Sequence, residues 1–100
     1  MWAQLIKARI KPGREDDARQ VADEFQAHVR ATGIGPTHVL TMQNQKDPQE
    51  QYTLAIFESE EKARENESNP QSAELIRKFW EVYEGQPEYT DLDPFSEWSR

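Results

Sequence analysis

The sequence predicts a single α+β domain over residues 1–100, with four antiparallel strands in one sheet and helices on one face of that sheet. Apolar residues recur at every second position in some segments, as in strands, and at every third or fourth position in others, as in helices. The predicted order is strand, helix, strand, strand, two helices, strand. That order is the split β-α-β arrangement of a ferredoxin-like sheet.

The first strand and the first helix have the clearest patterns. Apolar and basic residues alternate in the opening segment, which is typical of a half-buried strand, and Pro12-Gly13 ends it. The apolar positions are Trp2, Ile6, Ala8 and Ile10. A helix follows, with acidic residues in its first turn and Gly33 placed to end it in the left-handed conformation. Its apolar stripe consists of Ala18, Val21, Ala22, Phe25 and Val29.

Two further strands are predicted in the middle of the chain. The first covers residues 37–43, and Asp47-Pro48 is expected to form the turn after it. The second covers residues 52–57 and has apolar side chains at both parities. A strand that is apolar on both faces belongs in the middle of its sheet, so we expect this one to be central.

The second half begins with two helix starts. Ser59 is placed to cap a short acidic helix over residues 60–65, and Asn69-Pro70 provides an N-cap followed by a proline in the first turn. Gly85 is expected to end this second long helix. Its inner stripe consists of Leu75, Ile76, Phe79, Val82 and Tyr83. The last strand is expected within residues 88–98, where Pro94 confines it to an edge position or a bulge.

Composition excludes several classes of function. The chain has no cysteine, which excludes a disulfide framework, a thiol nucleophile and thiolate metal sites. No apolar run approaches the roughly 18 residues of a membrane helix, and no signal peptide is visible, so we expect a cytoplasmic protein. Residues 50–100 carry 13 acidic and 5 basic side chains, which disfavours nucleic acids and anionic membranes as partners. Basic residues are interspersed among the acids of residues 58–67, which favours a solvated face over a metal site.

The face of the sheet away from the helices is predicted to be apolar. It holds Ala3 and Leu5 together with either Tyr52, Leu54 and Ile56 or Ala55 and Phe57. Such a surface is too apolar to face water. We therefore expect a homodimer in which two sheets pack face to face, with the aromatic C-terminal segment helping to close the assembly.

Several segments resemble, in order, the antibiotic biosynthesis monooxygenase domain, a branch of the dimeric α/β barrel proteins. They are residues 1–6, the turn at 11–13, the loop at 32–35, the strand at 52–57 running into 58–63, and the helix start at 69–70. The resemblance covers nearly the whole chain and implies a dimeric α/β barrel. This superfamily includes cofactor-independent oxygenases of polyketide quinones, haem-degrading monooxygenases and small-molecule isomerases.

The haem-degrading branch of this superfamily is disfavoured. Its members hold the iron with a histidine on the helix after the Asn-Pro junction, and place a strand-one asparagine and a strand-three aromatic residue against the ring. Phe57 falls where that aromatic belongs, but the helix after Pro70 has no histidine, and strand one offers Ile6 or Lys7 in place of the asparagine. Without the usual axial ligand we expect no haem and no other cofactor.

Cofactor-independent oxygenation is the first function hypothesis, because it needs only a cavity for a small apolar or aromatic molecule that supplies the electrons itself. The expected lining of this cavity is Trp2, Phe57, Phe79 and Trp80, with Gln4, His38 and Tyr83 as polar candidates for catalysis. Gln4 interrupts an apolar parity, so its amide either lines the cavity or is hydrogen-bonded structurally. Trp80 lies outside the apolar stripe of its helix, so its ring is expected to pack against the tail or against a partner. The second hypothesis is a non-catalytic ligand-binding or accessory dimer.

The two histidines have different expected roles. His38 is the only strand histidine and the natural general base near neutral pH, although a lone histidine more often serves packing or an interface than catalysis. It shares its parity with Leu40 and Met42, and the sequence leaves open which face of the sheet this parity occupies. His28, near the end of the first helix, is expected to be partly exposed and to interact with the last helix carbonyls.

Overall fold

The computed structural model describes residues 1–100, which form four strands and three helices. These are β1 (Trp2–Arg9), α1 (Glu15–Thr32), β2 (His38–Asn44), β3 (Asp47–Phe57), α2 (Glu60–Ser68), α3 (Pro70–Val82) and β4 (Glu88–Leu92). The sheet is antiparallel with strand order β2-β3-β1-β4. The predicted α+β ferredoxin-like arrangement is confirmed, and β3 is central as expected.

The strand register determines which side chains share a face, because directly opposed residues of antiparallel strands point to the same side. One side, which we call the helix face, packs on the helices and contains Trp2, Gln4, Ile6, Ala8, Val39, Thr41, Thr53, Ala55, Phe57, Tyr89 and Asp91. The other side, which we call the open face, contains Ala3, Leu5, Lys7, His38, Leu40, Met42, Tyr52, Leu54, Ile56, Glu88, Thr90 and Leu92. Of the two predicted alternatives, the residues from β3 on the open face are therefore Tyr52, Leu54 and Ile56.

The helix ends follow the predicted capping signals. Gly33 ends α1 with a φ of 72° and donates its N–H to the carbonyl of Val29 at 2.8 Å. The Ser59 hydroxyl accepts from the N–H of Lys62, and the Asn69 side chain accepts from the N–H of Ser72. These caps satisfy N–H groups that have no partner within the helix, and they position α2 and α3 against the sheet.

The buried core consists of two clusters under the helices. One joins Trp2, Ala55 and Phe57 of the sheet to Ala63 of α2. The other consists of Ile10, Ala18 and Val82, with Tyr83 packed against it. Because both clusters lie on the helix face, the helices cover only one side of the sheet.

Two boundaries in the second half of the molecule differ from prediction. Asp47-Pro48 is not the turn: it begins β3, and the turn is Gln45-Lys46. Pro48 is tolerated in the strand because the β2–β3 register shifts there, so its missing N–H leaves no ladder position unpaired. Helix α3 ends at Val82 rather than continuing to Gly85, because the following backbone pairs with the end of β1. The N–H of Glu84 donates to the carbonyl of Arg9 at 2.7 Å.

The buried stripe of α1 also differs from prediction. Ala22 is exposed, and His28, which we expected at the surface, is only 7% exposed. Its Nε2 lies 2.7 Å from the hydroxyl of Ser72 on α3, while its Nδ1 has no hydrogen-bond partner. His28 follows Val21 by seven residues, so it lies on the same face of the helix and faces α3.

Large apolar side chains remain exposed on the open face and in the C-terminal segment. Strand β4 occupies an edge, as predicted, but covers only Glu88–Leu92 of the expected segment 88–98. Beyond it, Phe95 and Trp98 contact little of the protein and are 102% and 85% exposed. None of the three helices combines the length and the apolar character needed to span a bilayer.

Candidate functional site

A cleft opens on the helix face where β1 and β4 meet α2 and α3. Its volume is about 430 Å³. The lining residues are Gln4, Arg64, Glu67, Ile76, Trp80, Tyr89 and Asp91. The sequence predicted a small apolar cavity. Most of the surface that lines this cleft is apolar, and charged side chains of α2 and β4 line one side of it.

The polar side of the cleft is organised around Asp91. Gln4 lies opposite Asp91 in the β1–β4 ladder, and its Nε2 donates to Asp91 Oδ1 at 3.1 Å. Arg64 reaches from α2 and donates through Nη2 to Asp91 Oδ2 at 3.0 Å. The hydrogen bond from Gln4, followed by that from Arg64, holds the pKa of Asp91 below its ordinary value. Asp91 is therefore a carboxylate at neutral pH, fixed by one donor on each oxygen.

Arg64 is shared among three carboxylates. It contacts Glu60 at 3.1 Å and Glu67 at 2.8 Å in addition to Asp91. The spacings of four and three residues place Glu60 and Glu67 on the same face of α2 as Arg64. Its guanidinium carbon also lies 5.2 Å from the centre of the Trp2 ring, within cation–π distance. These contacts fix the arginine between the core and the cleft.

The aromatic side of the cleft is formed by two exposed rings. The indole N–H of Trp80 on α3 donates to the hydroxyl of Tyr89 on β4 at 2.9 Å. Trp80 is 52% exposed and Tyr89 is 43% exposed, so both rings present apolar surface to solvent. Desolvation raises the pKa of Tyr89, against the opposing effect of the bond from Trp80, so the phenol remains protonated at neutral pH.

Two of the seven predicted site residues line this cleft: Gln4 and Trp80. Trp80 contacts β4 of its own chain through the hydrogen bond to Tyr89, but half of its surface stays exposed, so the cover that its position requires is only partly supplied. Trp2 and Phe57 lie in the core below, with ring centres 5.9 Å apart in an edge-to-face arrangement.

Two other predicted residues lie farther along α3. Phe79 packs between Phe25 of α1 and Tyr83, with ring centres 6.3 and 6.2 Å apart. Burial raises the pKa of Tyr83 well above its ordinary value, so its hydroxyl is protonated at neutral pH. Neither Phe79 nor Tyr83 is among the residues that line the cleft.

His38 does not join the other polar candidates. It lies opposite Ile56 on the open face and is exposed. The sheet therefore separates His38 from Gln4 within one protomer. The sequence left open which face of the sheet His38, Leu40 and Met42 share, and the structure places all three on the open face.

Sequence reasoning missed five residues that line the cleft: Arg64, Glu67, Ile76, Tyr89 and Asp91. Glu60, Arg64 and Glu67 are spaced so that they lie on one helix face, and this spacing could have indicated Arg64 and Glu67. Tyr89 and Asp91 lie two residues apart in β4, and the sequence predicts this strand only within the wider segment 88–98, which leaves its register open. No group of three or more potential metal-binding side chains comes together in the molecule.

Solved structures share this fold over nearly the whole chain. A Mycobacterium tuberculosis protein, Rv0793, is 17% identical over 98% of this chain and 98% of its own, with a TM-score of 0.79. A proposed antibiotic biosynthesis monooxygenase from Caulobacter crescentus is 13% identical over 95% of this chain and 90% of its own, with a TM-score of 0.81. Another, from Chloroflexus aurantiacus, is 21% identical over 99% of this chain and 98% of its own, with a TM-score of 0.73.

The chain has the fold of these proteins. The resemblance to antibiotic biosynthesis monooxygenase domains is thus confirmed at the level of the fold. No protein-family model matches the chain, and no curated protein matches its sequence.

Proposed function

We propose that this protein binds a small, flat aromatic molecule in the cleft. The observation that carries the proposal is the pairing of two exposed rings, Trp80 and Tyr89, with the ionised carboxylate of Asp91 around one concave space. Small-molecule sites combine apolar walls with a few placed polar groups. A ring packed on Trp80 would bury apolar surface, and a hydroxyl or N–H group on that ring would donate to Asp91.

The proposed reaction is oxygenation of the bound molecule by molecular oxygen without a cofactor. The protein would thus be a cofactor-independent monooxygenase of an aromatic or polyketide-like substrate. The fold shared with structures named antibiotic biosynthesis monooxygenases supports this class of reaction. The substrate supplies the electrons, so the protein must orient it, exclude water and stabilise its anion. We place Gln4 in contact with the reacting end of the substrate, where its second amide N–H would donate to the anion, and Asp91 in contact with a hydroxyl or N–H group of the substrate that stays protonated.

A non-catalytic ligand-binding role is the alternative, and one observation favours it. Donors from Gln4 and Arg64 hold the pKa of Asp91 low, which makes this carboxylate a weak base. The cleft lining contains no histidine, and the histidine predicted as a base, His38, lies on the other face of the sheet. Oxygenation in this cleft therefore requires a substrate that loses its own proton readily.

Anthrone is a suitable probe because it is flat, loses a proton readily and is oxidised to anthraquinone. Each anthrone takes up one O₂ and yields one anthraquinone and one water. The enzyme hypothesis predicts that the protein accelerates both oxygen uptake and quinone absorbance, in equal molar amounts. Gln4→Ala should lower the rate by about tenfold or more if its amide stabilises the anion. Gln43→Ala, which changes an exposed glutamine on β2, is the matched control.

The outcomes of this experiment separate the two functions. Binding of anthrone without acceleration of its oxidation would favour the non-catalytic role. Acceleration that Gln4→Ala leaves unchanged would contradict our assignment of the reacting end. No binding of anthrone or of simpler aromatic molecules would overturn the aromatic-ligand proposal.

The proposed assembly is a homodimer joined through the open face. Leu5 lies opposite Leu54, and Leu40 lies opposite Leu54 on its other side, which makes a continuous apolar strip across three strands. Leu40 and Met42 are 48% and 44% exposed on this face. A second copy of the same face would remove this surface from water. We also propose a cytoplasmic location, which fractionation of the native host would test.

A further inference from the structure

We propose that the cleft selects aromatic molecules by the charge of their polar end, binding cations most tightly, neutral phenols less tightly and carboxylates least. This inference rests on the proposed ligand-binding function and deepens it. It identifies Glu67 and Asp91 as the residues that determine this specificity.

The polar side of the cleft carries an excess of negative charge. Arg64 is the one cation among the lining residues, and it is in contact with Asp91, Glu67 and Glu60. One positive charge against three negative charges leaves this group of four side chains at a net charge of −2. Partial desolvation inside a concave site strengthens the effect of that excess on a ligand.

Arg64 is not available to an incoming anion. Its Nη2 donates to both Glu60 and Asp91, and its Nη1 donates to Glu67. Its guanidinium group is also held over the ring of Trp2. A ligand carboxylate would therefore find no free guanidinium fork, and would approach Asp91 and Glu67 instead.

Asp91 retains capacity to accept from a ligand. A carboxylate offers about four lone-pair sites, of which the bonds from Gln4 and Arg64 use two. The exposed rings of Trp80 and Tyr89 stand on the other side of the cleft. Rings of this kind attract ammonium groups through their electron-rich faces, so both sides of the cleft favour a cation.

Three naphthalene derivatives with the same ring test the proposal: 2-naphthylmethylamine, 2-naphthol and 2-naphthoate, which are cationic, neutral and anionic at pH 7. We expect calorimetric titrations in low-salt buffer to show the amine binding at least about tenfold more tightly than the carboxylate, with the phenol between them. At about 0.3 M salt the amine and carboxylate should approach the phenol, because screening shortens the reach of exposed charges.

Two variants test whether Glu67 and Asp91 in the cleft cause the charge selection. Glu67→Gln and Asp91→Asn should each weaken amine binding several-fold and strengthen carboxylate binding. Glu67→Gln should leave the phenol nearly unchanged. Asp23→Asn on α1 removes one charge from an exposed position outside the cleft and is the matched control, for which all three affinities should stay as in the parent protein. Thermal unfolding of each variant checks that it is folded.

The outcomes separate this inference from the function on which it rests. Binding of all three compounds with equal affinity, or an equal effect of Asp23→Asn, would overturn the charge selection and leave the aromatic-binding function in place. Tighter binding of the carboxylate would overturn the charge selection in the same way. Binding of none of the three would overturn the proposed function and this inference together.

Discussion

The two faces of the sheet are built from alternating residues of the same strands, yet they differ in what covers them. On the helix face, Trp2, Ala55 and Phe57 are each no more than 6% exposed. On the open face, Leu40 and Met42 of the edge strand β2 are 48% and 44% exposed although they are as apolar as the covered set. Val39, at the β2 edge of the helix face, is 49% exposed, so the helices leave that edge uncovered as well. A sheet that is apolar on both sides requires a second cover, and this chain supplies only one.

The polar residues divide between the faces in a way that bears on function. On the helix face, Gln4 of β1 and Asp91 of the edge strand β4 are hydrogen-bonded to each other at one side of the sheet. The open face has an apolar region around Leu5 and Leu54, and charged residues such as Lys7 lie toward one end of it. The proposed ligand site therefore lies on the helix face, and the proposed dimer surface is the open face.

Leu54→Glu should have the largest effect among the variants that test this difference between the two faces. Leu54 lies at the centre of the open face, so in the proposed dimer a glutamate there would be buried without a partner. An uncompensated buried charge costs about 4 kcal/mol, and the dimer would bury two of them, so it should be weaker by at least roughly a thousandfold. Sedimentation equilibrium should show a dimer for the parent protein and a monomer for Leu54→Glu.

Gln43→Glu provides the matched control for the dimer experiment. It adds the same charge to the sheet at an exposed position of β2 that is outside the open face. This variant should remain a dimer. A monomeric parent protein, or a variant Leu54→Glu that dimerises as well as Gln43→Glu, would contradict the assembly function of the open face.

A pair of leucine truncations should separate the covered side from the uncovered one. Leu75→Ala on α3 removes a side chain that is 8% exposed and should lower the free energy of unfolding by about 3 kcal/mol. Leu40→Ala makes the same change on the open face and should cost less than about 1 kcal/mol in dilute protein. Chemical denaturation at several protein concentrations checks both values.

The dependence of these two effects on protein concentration gives a second test of the difference between the faces. Only the effect of Leu40→Ala should grow as the protein concentration rises and the proposed dimer forms. Binding of a second copy stabilises the folded state by mass action, and Leu40 lies on the face that would bind it. Equal effects of the two truncations at low concentration would contradict the distinction between a covered and an uncovered face.

Local signals in the sequence were sufficient to predict most of the fold. Gly33, Ser59 and Asn69 each cap or end a helix through contacts within four residues, and these contacts depend little on the rest of the molecule. The double-sided apolar pattern of β3 likewise predicted its central position. Alternation in β1 predicted its two faces, although not which elements of the chain would cover them.

The candidate site was predicted less completely because it depends on contacts distant in sequence. Gln4 was singled out by a break in local alternation, but its partner Asp91 lies 87 positions away and was found only through the β1–β4 register. The burial of His28 has the same origin, since its contact with Ser72 spans 44 positions. Pairings of this kind are decided by tertiary packing, which a single sequence does not reveal.

Ser72→Ala tests whether the helix layer above the sheet depends on that buried polar contact. Removing the hydroxyl leaves Nε2 of His28 without a partner, in addition to its Nδ1. An unsatisfied buried group costs about 1–2 kcal/mol, so the free energy of unfolding should fall by that amount. Ser68→Ala removes an exposed hydroxyl and should change stability by less than about 0.5 kcal/mol. Similar values for the two variants would show that the His28 contact adds no stability.

Gln4→Leu should produce the smallest effect, a change in the titration of one carboxylate on the helix face. Without the bond from Gln4, the pKa of Asp91 should rise toward its ordinary value, as followed by carbon-13 NMR of its carboxyl group. The depressed pKa stabilises the folded protein above the pKa of the unfolded chain, and this contribution is lost as pH falls through the lower, folded value. Gln4→Leu should therefore reduce the stability that Asp91 contributes above the unfolded pKa. Thr90→Val changes the residue next to Asp91, but on the open face, so it should leave the Asp91 titration unchanged. An equal shift of the Asp91 pKa in both variants would mean that a change on the open face affects this carboxylate as much as a change in the cleft.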